Sequence, residues 1–138
     1  MAVSEQIQNQ FIEFITLQAF DDQYIDCQEE KRILEVGLKN GISVEESLAI
    51  IQQVASQRGW ILERDADDRA KDFLEKAATN DGKVDKKEFD QAVALFEKAS
   101  KGKLPEHEIK IRLKQMMVDN GFKAKEGGLF GSKWYSAI

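Results

Sequence analysis

Apolar residues recur along most of this chain at intervals of three and four, the period of a helix with one buried face. Ile7, Phe11, Phe14 and Ile15 trace the first such face, and Ser4 stands where a cap belongs, predicting a helix from Ser4 to Ala19. A second begins after Asp26, with Ile33, Leu34, Gly37 and Leu38 inward, and Asn40-Gly41 supplies the left-handed residue that ends it. Ser43-Val44-Glu45-Glu46 reads as a capping box opening a third helix, with Val44, Leu48, Ile51 and Ala55 inward. Gly59-Trp60 closes that segment, with the indole expected to fold back on the core. Ala66, Ala70, Phe73, Leu74 and Ala77 mark a fourth helix, and Phe89, Ala92, Val93, Phe96 and Ala99 a fifth. Pro105 suits the first turn of a sixth, which continues through Ile109, Leu113, Met116 and Met117. No stretch alternates long enough for a strand. The expected fold is all-α.

The pattern is written twice. Asp22, Ile25, Asp26 and Glu29 recur 59 residues later as Asp81, Val84, Asp85 and Glu88, in the order Asp, any two, Ile or Val, Asp, any two, Glu. Phe14-Ile15 matches Phe73-Leu74 at the same offset. Downstream the offset becomes 62, where Ile51, Gln53, Val54 and Ala55 match Leu113, Gln115, Met116 and Met117, and Gly59-Trp60 matches Gly121-Phe122. The three extra residues belong in the turn at Lys101-Gly102-Lys103-Leu104-Pro105, since loop tips tolerate insertion. Repeat one then covers 4–62 and repeat two 63–124, packed as a single helical domain of 1–124, with a tail at 125–138.

Composition narrows the partners. The 138 residues carry a net charge of −5. Residues 1–100 hold 12 basic against 21 acidic side chains, while 101–138 hold 8 against 4. An acidic chain is poorly suited to nucleic acid, whose phosphates need a concentrated basic surface. The basic final third could favour an acidic protein or a second copy of the chain. Cys27 is the only cysteine, so neither a disulfide framework nor a thiolate cluster is available. No basic start precedes an apolar run and no membrane-spanning stretch occurs, which leads us to expect a cytoplasmic protein.

The tail differs in kind. Gly127, Gly128 and Gly131 precede Trp134, Tyr135 and Ile138. One reading is a strap laid on its own domain. The other is a recognition peptide presenting Leu129, Phe130, Trp134, Tyr135 and Ile138 to a partner or a neighbouring copy.

The repeated turn carries two chemistries. Residues 77–88 resemble the loop of an EF-hand calcium-binding protein, with Gly82 at the sharp turn and Asp81, Asp85 and Glu88 at oxygen-ligand positions. Ala77 stands where the first ligand belongs, and Thr79 is a neutral third. In the first copy only Asp22, Asp26 and Glu29 remain, and Gln23 replaces the glycine. The structural alternative is a capping box at each helix start, Asp26 with Glu29 and Asp85 with Glu88, with Ile25 and Val84 as hydrophobic staples.

Two related halves, each with a third helix and a Gly-aromatic corner after an acidic turn, are similar to the tellurite-resistance TerB-like helical domain over residues 10–120. That resemblance implies an all-helical cytoplasmic module associated with stress-response, membrane-linked or chaperone systems. It also implies possible metal binding at Asp21, Asp22, Asp26 and Glu29, and at Asp81, Asp85 and Glu88.

No catalytic constellation emerges. His107 is the only histidine and is expected to face solvent. Cys27 lies among Asp26, Glu29 and Glu30, a negative field that opposes a thiolate. The cluster Asp65, Asp67, Asp68 and Asp72 reads as the acidic start and outer face of the fourth helix. The expectation is a non-catalytic adaptor that binds another protein, with no cofactor. The alternatives are a weak Ca²⁺ sensor or buffer using the second acidic turn, and an accessory or inhibitory subunit acting through the tail.

Overall fold

Ser4 opens the described part of the chain by capping a helix: its hydroxyl accepts the Ile7 N–H. The computed structural model describes residues 4–126 and 133–138, apart from the side chains of Asn80 and Asp81. Six helices account for most of these residues: α1 (Glu5–Gln18), α2 (Cys27–Lys39), α3 (Val44–Arg58), α4 (Glu63–Asp81), α5 (Lys86–Ala99) and α6 (Glu106–Asp119). The fold is all-α. Among the described residues no helix is long and apolar enough to cross a membrane.

The chain divides into two compact units, 1–64 and 65–138, each with its own core. The division falls close to the repeat boundary. It also assigns the tail to the second unit.

In the first unit α1, α2 and α3 pack on one another. Phe11 and Ile15 from α1, Ile33 from α2, and Ile51, Val54 and Ala55 from α3 are buried together. At Gly37 the helices α2 and α3 come close: a Cβ there would lie 2.4 Å from Ser47 Oγ, itself fully buried. Two expected inner positions prove external, Leu38 at 57% and Val44 at 41% exposure. Both lie at helix ends, where the inner stripe has rotated away from the neighbouring helix. Ser43 closes only half of the expected box. It accepts the Glu46 N–H, but the Glu46 carboxylate takes the Ser43 hydroxyl rather than its backbone N–H. Gly59 ends α3 at φ +70°, and Trp60 packs partly buried against the core beneath the Arg58 guanidinium.

The second unit follows the same plan. Ala66, Ala70, Leu74 and Ala77 give α4 a narrow buried face on which Phe89, Val93 and Phe96 of α5 and Ile109, Leu113 and Met117 of α6 pack. Pro105 sits one residue before α6 as its N-cap and supplies no side-chain cap bond. The six residues between α5 and α6, against four between α2 and α3, take up most of the repeat's insertion.

Each unit also contains a pair of two-residue strands, β1 (Tyr24–Ile25) with β2 (Ile61–Leu62), and β3 (Lys83–Val84) with β4 (Lys123–Ala124). Both pairs are parallel, joining the residues just before the second helix of a repeat to those just after its third. Two residues are too few to display an alternation, so the sequence pattern could not have revealed them.

Candidate functional site

Asp26 and Asp85 accept the N–H of Glu29 and Glu88 at 2.7 Å each. The two glutamates return the bond to the backbone N–H of Asp26 and Asp85 at 3.2 and 3.0 Å. Both acidic turns are therefore complete capping boxes, which satisfy donors that a helix start leaves open. Asp22 adds an Asx turn, its Oδ1 accepting the Tyr24 N–H at 3.2 Å.

This geometry departs from the loop suggested by the EF-hand-like spacing. α4 runs on to Asp81, so the first five positions of that frame are helical and only Gly82, at φ +81°, turns. A cation loop wraps its ligands around the ion, whereas a helix directs successive side chains outward around its own axis. The Asp81 side chain lies outside the described atoms. At the first turn Gln23 takes the positive φ, +57°, that glycine takes at the second. The Glu29 carboxyl is held above its usual range, first by burial and then by the neighbouring Asp26 and Asp22 charges, against the pull of the Asp26 N–H.

Ile25 and Val84 are both buried in the core of their unit, as expected, but only one of them meets an apolar partner in the capped helix. Val84 and Phe89, before and four residues into the capped helix, share the second core. In the first unit the matching position is Glu30, buried to 6% and gripped by Arg64 Nε at 2.9 Å and Nη2 at 2.6 Å. Beside it Glu63 accepts the Tyr24 hydroxyl at 2.5 Å and the Cys27 N–H at 3.3 Å. The sequence singled out Glu30 only within the negative field around Cys27 and gave no sign of Glu63 or Arg64, whose bonds to Tyr24 and Glu30 span 39 and 34 positions.

The described part of the tail, residues 125–126 and 133–138, packs as a strap on the second unit. Trp134, Tyr135 and Ile138 pack partly buried against that core, with the Trp134 ring 5.2 Å from Phe89. The indole N–H donates to the Lys125 carbonyl, and Lys114 donates to the carbonyls of Tyr135 and Ile138 while lying 4.8 Å above the Tyr135 ring. Glu126 accepts both the N–H and the hydroxyl of Ser136. Those bonds hold its carboxyl below the usual range, and burial pushes the Tyr135 hydroxyl up. Leu129 and Phe130 lie outside the described residues.

A third feature is a groove of about 640 Å³ between α4 and α6. Leu104, Ile111 and Met116 supply apolar surface, and Asp68, Glu108 and Asp119 line it with exposed carboxylates. Arg112 also lines it, but its guanidinium grips Asp67 through two 2.6 Å bonds and stacks 5.6 Å from Phe96. Asp67 is thus a structural partner rather than part of a plain acidic face. Asp72 pairs with Lys76 one turn on. His107 is exposed, as expected.

Compared with protein-family models, curated proteins and solved structures, the chain has no match in any of the three.

Proposed function

We propose that this chain is a non-catalytic protein-interaction module of TerB-like type, binding a partner through apolar helix surface that its own fold leaves uncovered. The observation that carries the reading is that surface. Ile111 is 57% exposed in a groove with apolar surface, and Leu17 in the last turn of α1 and Phe20 just beyond that helix are each 71% exposed. Large apolar side chains grouped in the open mark interaction sites more often than singly scattered ones do. The acidic turns support the same reading from the other side, since their carboxylates are engaged in closing helix starts.

The test is photo-crosslinking in the native host, with a photoreactive residue placed at Ile111, at Phe20 or, as control, at exposed Glu13. A discrete adduct from either apolar position and none from Glu13 supports the module. No adduct from any position removes the proposal.

A weak Ca²⁺ site at the second acidic turn, Asp81, Asp85 and Glu88, is a second reading, favoured by its likeness to the first turn, where burial and then the Asp26 and Asp22 charges raise the Glu29 carboxyl. Calorimetric titration with Ca²⁺ tests it. Asp26→Asn and Asp85→Asn keep the caps and remove one charge each. Saturable heat lost in either variant promotes the sensor reading, and no heat at millimolar calcium removes it.

A further inference from the structure

We infer that the groove between α4 and α6 is a docking site for a basic amphipathic helix of a partner protein. The inference rests on the interaction-module reading and names the chemistry of its partner. Three features set that chemistry. The apolar strip of Leu104, Ile111 and Met116 offers surface that an amphipathic helix can bury, and methionine adapts its shape to what it meets. The walls are themselves helices, and the stretch of α6 from Glu108 to Asp119 is roughly 17 Å long at 1.5 Å per residue, room for about three turns of a bound helix.

Charge selects the sign. Asp68, Glu108 and Asp119 are exposed along the groove. Of the two cations lining it, Arg112 is neutralised by its two-point bond to Asp67, which leaves Lys71 against three carboxylates. Such a surface draws in lysine and arginine and repels phosphate, so nucleic acid and anionic membrane are the wrong partners. A strand-like peptide has little to extend either, because the described strands of this unit are only two residues long.

The experiment uses the full chain and a fluorescein-labelled amphipathic helix of leucine and lysine, about 14 residues or four turns long. Its binding is read by fluorescence anisotropy beside a leucine–glutamate counterpart. We expect saturable binding of the lysine peptide only. Ile111→Ser should weaken it about tenfold, the loss of one well-buried apolar anchor. Glu108→Lys with Asp119→Lys should weaken it by a similar factor. The control pair Glu5→Lys with Glu13→Lys changes net charge equally on exposed sites of α1 and should leave affinity within about twofold at near-physiological salt. Absence of saturable binding overturns the inference, as does equal weakening by both charge reversals. Dimerisation in sedimentation that Ile111→Ser abolishes would give the groove to a second copy and also overturn it. A groove that ignores the peptide while crosslinks form at Phe20 removes this inference and leaves the module intact.

Discussion

The two units start their capped helices identically and cover them differently. Asp26 and Asp85 make the same box, and parallel strand pairs hold both turns. One turn further in, the first unit has Glu30 under Arg64, while the second has Phe89 beside Trp134. At the repeat offset, Arg64 stands where the second unit has Glu126, and Glu126 instead fastens the tail. The inter-helix crossing diverges as well: Gly37 and Ser47 correspond to Phe96 and Ile109, all buried. A duplicated frame has kept what the backbone demands, its caps and turns. It has let go of what packing merely permits, because a core tolerates varied contents at constant volume whereas an open N–H has few substitutes.

That contrast can be broken at its strongest point first. Phe89→Ala should cost about 3–5 kcal/mol, as truncating a buried aromatic does. Native-state hydrogen exchange should show the loss in the α5 amides. Glu30→Ala, its counterpart, should cost about 1–3 kcal/mol, less because Arg64 is 41% exposed and can turn to water. Equal costs would sink the distinction between a polar and an aromatic cover. Gly37→Ala should lie in the same range, about 1–3 kcal/mol from overpacking against Ser47, seen as a lower denaturant midpoint.

The shared part should respond equally in both units. Asp26→Ala and Asp85→Ala should each cost about 1 kcal/mol in chemical denaturation, and the corresponding asparagine variants far less. The smallest effect is the strap's pH dependence. The Glu126 carboxyl is lowered from its ordinary 4.5 by the Ser136 bonds. Its contribution is therefore present above that value and lost as pH falls through the lowered pKa. Trp134 emission, followed in a Trp60→Phe background, should shift over that window and lose the shift in Glu126→Gln.

The helices were legible because their signals are local. Ser4, Asp26, Ser43 and Asp85 are caps, and apolar residues at three- and four-residue spacing fall on buried faces with errors only at helix ends such as Leu38 and Val44. The capping-box reading of Asp26 with Glu29 and Asp85 with Glu88 needed no more than a spacing of three. What stayed hidden was non-local. Glu63 meets Tyr24 across 39 positions, Arg112 meets Asp67 across 45, and the groove exists only once α4 and α6 lie side by side. The EF-hand-like frame rests on count alone: its twelve positions match, but α4 continues to Asp81, so the first five of them are helical.

The short parallel strands bear on how such a chain folds. Tyr24 pairs with Ile61, and Lys83 with Lys123, so each ladder closes a loop of about 40 residues at an entropic cost on the order of 3 kcal/mol. Helices can form as they leave the ribosome, but the first unit gains its clasp only after Leu62 has emerged. Until then its acidic turn is capped yet unanchored. Mutations at Ile61 or Leu62 should therefore act on the last step of folding, raising the unfolding rate more than they slow folding.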